Sequence, residues 1–288
     1  MTPAAFDYVR ARDVDDAIRL LGTREGAKLL AGGHSLIPMM RLRLATPTLL
    51  VDLADIPGLR GIREEPSGLR IGALTTHALL AADPLLRRLA PALSDAAGEL
   101  GDPQVRNRGT VGGACAHGDP SADYPAVMLA LRATFHVAGP QGARDVVADD
   151  FFQGMFETAV SGEDVLTAVS FDSTPYSAYV KFPHPASGYA VVGVAAALRV
   201  AEGAIVAARV AVTGVGDTQF RALGVERMLT GVATGDARAI AAACANAAAE
   251  IEPRGDRYAS ASYRAAMTDV FAERAVMRAL AAPSRAPA

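Results

Sequence analysis

The sequence predicts a mixed fold of strands and helices in at least two units, and three observations carry that prediction. Over roughly the first 55 residues a helical segment and two short apolar runs alternate, the pattern of a small α/β unit. From residue 178 onward three apolar runs follow one another and helices come after them, the order of an α+β unit. Between these stretches lies Asp172-Ser173-Thr174-Pro175, a turn-rich junction. With 51% hydrophobic residues among 288, the chain can bury a sizeable core, as one large domain or two to three small ones.

Each element has a local reason. Residues 13–22 form a compact helical segment: Asp13 can cap it, Val14, Ala17, Ile18 and Leu21 share a face, and Gly22 ends it. The apolar run 28–31 reads as a short buried strand, and 48–53, between Pro47 and Pro57, as a second. Residues 69–74 read as a strand and 75–82 as the start and body of a helix. Residues 84–100 read as one longer helix, stopped by Gly101-Asp102-Pro103, with a loop from there through Gly113. Further on, 124–131 reads as an apolar helix, 133–137 and 144–147 as paired strands, 151–160 as a helix and 164–171 as a strand. In the C-terminal part, 178–182, 190–200 and 204–212 read as strands, the last two joined by a hairpin at Glu202-Gly203. Helices are expected at 221–229, 236–250 and 263–280, and Tyr263, Met267, Val270 and Phe271 form a stripe that reads as core. The tail, 283–288, reads as disordered.

Composition excludes several function classes. A net charge of −3 leaves no basic surplus to neutralise phosphates, which argues against a nucleic-acid partner. The two cysteines, Cys115 and Cys244, are too few for an iron–sulfur cluster or a disulfide framework. The N-terminus lacks a basic stretch followed by an apolar one, and no apolar run approaches the ~20 residues that span a bilayer. A cytoplasmic protein without membrane insertion is expected. The dinucleotide fingerprint, the Walker A loop, the nucleophile elbow and the His-Glu-x-x-His pair are all missing from the sequence.

Two glycine-bearing stretches stand out. In Leu30-Ala31-Gly32-Gly33-His34-Ser35-Leu36 an apolar run enters a double glycine and then a helix-compatible segment. Such a turn lets a ligand approach the main chain, and successive amides can bind an anion. It reads either as a phosphate-binding loop or as a tight strand–helix turn. About 75 residues later, Gly109-Thr110-Val111-Gly112-Gly113 repeats the texture, followed by His117, Asp119 and Asp123. Together the two could grip a long ligand with a diphosphate at its middle.

These stretches carry a resemblance. Ala31-Gly32-Gly33-His34-Ser35-Leu36, Gln104-Val105-Arg106-Asn107-Arg108-Gly109-Thr110-Val111-Gly112-Gly113, His117-Gly118-Asp119-Pro120-Ser121-Ala122-Asp123, Tyr179-Val180-Lys181-Phe182 and Ser187-Gly188-Tyr189-Ala190 occur in order over nearly the whole chain. In them the chain resembles the FAD-binding medium subunit of bacterial molybdenum hydroxylases, the carbon monoxide dehydrogenase and xanthine dehydrogenase relatives. The resemblance implies an α+β fold: a PCMH-type FAD-binding domain of the vanillyl-alcohol-oxidase kind, residues 1–176, with subdomains of about 1–55 and 56–176, then a C-terminal α+β domain, 177–282, with a three-stranded sheet and helices. It places the FAD pyrophosphate on Leu30, Ala31, Gly32, Gly33, His34, Ser35 and Leu36. Gly109, Thr110, Gly113, Ala114, Ala116 and Asp123 would continue along the cofactor, with Asp123 accepting from ribityl or ribose hydroxyls. Val165 and Leu166 would pack on the adenine, Lys181 would lie near the flavin pyrimidine edge, and Tyr189 would cover the isoalloxazine.

The chain departs from the family pattern at Ala114, where an Asn is common, and at Gly188, where an Asp often precedes the tyrosine. The missing Asn amide is worth about 1 kcal/mol of binding. His34 occupies a variable slot, so FAD is expected to be non-covalent. His77 reads as structural, His117 with Asp119 as two ligands short of a metal site, and Cys115 as a small buried residue. By resemblance, the molybdenum cofactor sits on a large partner subunit and two [2Fe–2S] clusters on a small one, in a dimer of heterotrimers. Electrons would pass through FAD to an external acceptor, with no side chain of this chain acting as nucleophile or base. Two other classes stand beside this reading: a self-contained flavoprotein oxidoreductase, and a non-catalytic assembly subunit.

Overall fold

The computed structural model describes residues 2–66 and 68–285. Strand β1 (Asp7–Arg10) leads into helix α1 (Val14–Leu21), then β2 (Ala27–Leu30), α2 (Leu36–Arg41) and β3 (Leu49–Asp52). Both β1 and β2 pair in parallel with β3, which is central and buried throughout. Asp13 accepts from the amide of Asp16 at 2.7 Å, and Gly22 closes α1, so that helix begins and ends where its caps dictate. Strand β1 carries charged residues at both ends, which hides it from an apolar-run reading. The run 28–31 is half-buried rather than buried, because β2 is an edge strand.

A five-stranded antiparallel sheet follows, in the order β4 (Ile62–Glu65), β5 (Gly68–Gly72), β10 (Val165–Phe171), β6 (Thr134–Gly139), β7 (Gly142–Val147). Leu69, Ile71, Phe135, Val137, Val169 and Phe171 point to one face and pack beneath the intervening helices. Those are α3 (His77–Ala82), α4 (Pro84–Leu89), α5 (Pro91–Glu99), α6 (Pro103–Arg108), α7 (Val111–His117), α8 (Asp123–Ala130) and the single turn α9 (Ala148–Phe151). Three expectations are corrected here. The helix expected over 84–100 is two, broken at Ala90, because Pro91 drives the residue before it out of the helical region (φ −153°). The loop expected through Gly113 contains α6, capped by Asp102, and the start of α7, capped by Thr110. The helix expected over 151–160 is a small hairpin, β8 (Phe152–Gly154) with β9 (Glu157–Thr158). Phe156 turns that hairpin at φ +58° while its amide donates to the Gly118 carbonyl at 3.0 Å, a tertiary bond with no local signature.

The C-terminal sheet is antiparallel, ordered β11 (Ser177–Pro183), β12 (Ala190–Ala201), β13 (Ala204–Thr213), β14 (Phe220–Arg221). Glu202 and Gly203 both have positive φ, as the expected two-residue hairpin requires. The two-residue β14 adds a fourth strand to the three expected and delays α10 to Leu223–Leu229. The alanine run 236–250 is helical only over α11 (Ala237–Ala243): Asn246 takes φ +61°, and the next amide, that of Ala247, donates to Asp269 at 2.8 Å. Helix α12 (Ala261–Leu280) lies across β11 and β12. Its buried face is Arg264, Thr268, Phe271, Ala272, Ala275, Val276 and Ala279. Of the expected stripe Phe271 is core and Met267 packs partly buried against that core, while Tyr263 and Val270 are 45% and 38% exposed. Small residues win because they let the helix approach the alanine-rich strand β12 closely. Of the tail, Ala282–Arg285 form a 3₁₀ turn, and residues 286–288 lie outside the described residues.

The segment 118–122 ties the C-terminal sheet to the rest. Thr213 donates to the carbonyls of Pro120 (2.9 Å) and Ala122 (2.8 Å), Gln219 to that of Asp119 (2.7 Å), and the amide of Gly214 to that of Pro120 (2.9 Å). Arg209 donates from Nη2 to both oxygens of the Asp149 carboxylate at 3.0 and 2.8 Å, and from Nε to the Leu129 carbonyl at 3.0 Å. Among the described residues, no helix is long and apolar enough to cross a membrane.

Candidate functional site

A cleft of about 660 Å³ opens where the first sheet meets the helices of the second. One wall is the turn between β2 and α2, with Ala31, Gly32, Gly33, His34, Ser35 and Leu36. A second wall is Gly109, Thr110 and the first turns of α7, with Gly113, Ala114 and Ala116. The third is the β8–β9 hairpin with Ser161, Gly162 and Leu166. Residues far apart in sequence thus meet on one surface of a size suited to a cofactor.

The glycines explain how the two loops come together. A Cβ on Gly32 would collide with the Arg108 carbonyl and come within 2.7 Å of the Gly109 Cα, so the loops touch backbone to backbone. A Cβ on Gly112 would run into Ala73, which seats α7 on the end of β5. Gly33 has φ +76°, a left-handed conformation that glycine adopts without cost. Leu30 lies beneath this turn, its Cδ1 3.4 Å from where a Gly33 Cβ would stand.

The two stretches differ in what they offer. Among the described residues, the amides of Gly33, His34, Ser35 and Leu36 meet no acceptor in the chain. In the second stretch the amides are already engaged: Val111 donates to the Thr75 carbonyl (3.0 Å), Gly112 to that of Ala73 (2.8 Å), and Gly113 to the Thr110 hydroxyl (3.2 Å). The first loop therefore presents free donors at a helix start, and the second shapes the facing wall.

The remaining expected residues are placed as follows. Leu166 lines the cleft, while its neighbour Val165 points the other way into the core of the first sheet. Asp123, Lys181 and Tyr189 do not line it. Asp123 and Lys181 form a buried ion pair at 3.1 Å, with side chains 3% and 2% exposed. Tyr179 donates its hydroxyl to the other oxygen of Asp123, and Lys181 also donates to the Glu99 carbonyl at 2.8 Å. Burial pushes the Asp123 carboxyl upward against the pull of Lys181 and Tyr179. The pair stands between α8 and β11. Tyr189 is 46% exposed beside Ala190, whose amide donates to the Ser121 carbonyl at 3.3 Å. Burial and the nearby Asp119 and Asp123 raise its phenol.

Several cleft residues had no expected role there. His77 lines it, and so do His117, Gln153, Phe156, Glu157, Thr158 and Asp164. His117 packs its ring against Phe156 with centroids 5.1 Å apart. Asp164 receives Arg144 through two nitrogens (3.0 and 2.7 Å) and the Ser161 amide (2.7 Å), which hold its carboxyl down to about 2. The hairpin residues carry no local motif, and the helix expected over 151–160 concealed them. Cys115 is fully buried and its thiol pushed upward by burial. Among the described residues, no three His, Cys, Asp or Glu side chains are grouped to hold a metal ion.

Comparison with known proteins shows the family. Residues 4–172 match the family described as the FAD binding domain in molybdopterin dehydrogenase, and residues 177–279 the CO dehydrogenase flavoprotein C-terminal domain. The chain is 42% identical over 286 residues to the carbon monoxide dehydrogenase medium chain of Afipia carboxidovorans, covering 98% of this chain and 99% of that one. It superimposes on a chain of the carbon monoxide dehydrogenase from Hydrogenophaga pseudoflava with a TM-score of 0.92 at 41% identity, covering 98% and 99%. A chain of quinoline 2-oxidoreductase from Pseudomonas putida 86 gives 0.92 at 31% identity, covering 98% and 99%. By sequence over nearly its whole length and by fold, the chain belongs to the FAD-binding medium-subunit family of the molybdopterin dehydrogenases.

Proposed function

We propose that the cleft holds FAD non-covalently and that the chain carries electrons within a molybdenum hydroxylase complex. They would come from [2Fe–2S] clusters on a small partner subunit, be drawn from a substrate oxidised at the molybdenum cofactor of a large one, and leave for an external acceptor. The observation that carries this reading is the β2–α2 turn: a left-handed Gly33 followed by three further unengaged amides at a helix start. Such a turn suits the two negative charges of a pyrophosphate. FAD supplies the redox chemistry when bound, and the chain's residues supply binding and orientation.

We assign the pyrophosphate to Gly32, Gly33, His34, Ser35 and Leu36, over the support of Leu30 and Ala31. Thr110, Gly113, Ala114 and Ala116 form the facing wall, with Gly109 at its start, and Leu166 meets the adenine over the buried Val165. Beyond His117, the Ser121 carbonyl accepts from the Ala190 amide at 3.3 Å, beside Tyr189, which we assign to covering the flavin ring. Lys181 is compensated by Asp123 at 3.1 Å. Its influence on the ring is therefore that of a dipole, below the roughly 4 kcal/mol of a lone charge at ~4 Å and an effective dielectric of ~20. We further propose domains at 1–176 and 177–282, a cytoplasmic location, and a dimer of heterotrimers.

The visible spectrum of the purified complex tests the reading. Flavin and iron–sulfur bands, with a large and a small chain co-purifying, are expected. Full turnover by the isolated chain would favour a self-contained oxidoreductase, and a complex without flavin would favour an assembly subunit.

A further inference from the structure

His77 lines the cleft although no motif assigns it a role there. It opens α3, and its amide donates to the Gly109 carbonyl at 3.0 Å. Its ring lies over Gly109: a Cβ there would stand 2.5 Å from Nε2 and 2.7 Å from Cδ2. On the far side, Nδ1 is 2.9 Å from the hydroxyl of Tyr124, a residue with no solvent exposure. The imidazole is 4% exposed and lines the cleft beside Gly109.

Two features settle what this ring presents. Among the described residues, the Tyr124 hydroxyl has only His77 Nδ1 within hydrogen-bond reach. A buried O–H left without an acceptor costs more than a phenol oxygen left without a donor, so the phenol donates to Nδ1 and the imidazole proton resides on Nε2. Burial first, with His34 and Arg106 nearby, pushes the pKa down to about 4, which keeps the ring neutral at physiological pH. The cleft wall at Gly109 therefore carries an imidazole N–H donor of fixed tautomer, opposite the turn with free amides.

We infer that His77 is a positioning residue for the cofactor, donating from Nε2 to an anionic phosphate oxygen, with Tyr124 setting its tautomer from behind. This rests on the FAD reading and extends it to a residue that no motif marks. It also gives Gly109 a reason beyond the turn: any side chain there would displace the ring.

The test uses the full chain labelled with ¹⁵N-histidine, whose five histidines make the signals separable. In the flavin-free chain His77 is expected as the neutral Nε2–H tautomer, and saturation with FAD shifts its Nε2 signal. His77→Leu should weaken FAD binding about tenfold, the worth of one hydrogen bond to a charged acceptor. His77→Gln, whose amide nitrogen reaches the Nε2 position, should recover all but about threefold, and Tyr124→Phe, which frees the tautomer, should cost about threefold. FAD binding with an unmoved Nε2 signal, or an Nδ1–H tautomer, would overturn the inference and leave the FAD reading intact. A chain that takes up no FAD would overturn both.

Discussion

Replacing Gly33 by valine separates the pyrophosphate turn from a mere strand–helix connection. At φ +76° an L-residue pays about 1–2 kcal/mol, and a β-branched one more. The new Cβ would also stand 2.7 Å from Ile37 Cδ1, but that is the tip of a flexible side chain and can rotate away. The strain is relieved if Gly33 returns to negative φ, which re-aims the amides of His34, Ser35 and Leu36. Losing two amide bonds to a charged phosphate costs about 3 kcal/mol or more, a factor of ~100 or more in Kd. FAD titration of the deflavinated protein, followed by flavin fluorescence, measures this directly. Gly58 is the control: it has φ +80° and nothing within 4 Å of its would-be Cβ. Gly58→Val should carry a comparable conformational cost, read as a lower melting temperature, with FAD affinity unchanged. Full FAD retention in Gly33→Val would refute the placement of the pyrophosphate, and so would equal FAD loss in Gly58→Val.

Two further outcomes follow from the charge pairs. The Asp164 carboxyl is lowered from 3.8 to about 2, chiefly by Arg144, so its contribution is present above pH ~4 and fades as pH falls through about 2. At ~1.4 kcal/mol per unit this is at most about 2.5 kcal/mol, and about 1 after allowing for the 43% exposure of Arg144. Asp164→Asn should thus lower stability in urea melts at pH 7 by about 1 kcal/mol, with the gap closing between pH 4 and 2; a gap independent of pH would refute the assignment. Lys181→Met strands a carboxylate that is 3% exposed and should cost about 3–5 kcal/mol, while adding Asp123→Asn should restore much of it. Additive losses in the double variant would show that the pair is not coupled.

Much of the element order was legible because its causes are local. Asp13 and Gly22 bound α1, Glu202-Gly203 turns the hairpin, and short runs rich in apolar residues mark β6 and β10. Elements whose causes are tertiary were not. The β8–β9 hairpin exists because Phe156 bonds to Gly118, and the α11 helix stops early because Asp269 takes the Ala247 amide. The face of α12 was misjudged for the same reason: large apolar residues mark a stripe, but alanines and a buried Arg264, which donates to the carbonyls of Val191 and Gly214, fit against a closely packed sheet.

The candidate site divides along the same line. The glycine stretches, with the segments 117–123, 179–182 and 187–190 in order after them, were enough from sequence alone to mark the family, and the glycine stretches marked two walls of the cleft. Which amides remain free was decided only by folding, because Thr75, Ala73 and Thr110 claim those of the second stretch and nothing claims those of the first. Folding also brought His77 and the 153–164 residues to the cleft and drew Asp123 and Lys181 into a buried pair away from it. The physical reason is reach: a backbone turn is encoded within a few residues, whereas a hydrogen bond or a cleft wall belongs to residues that only the packed chain makes neighbours.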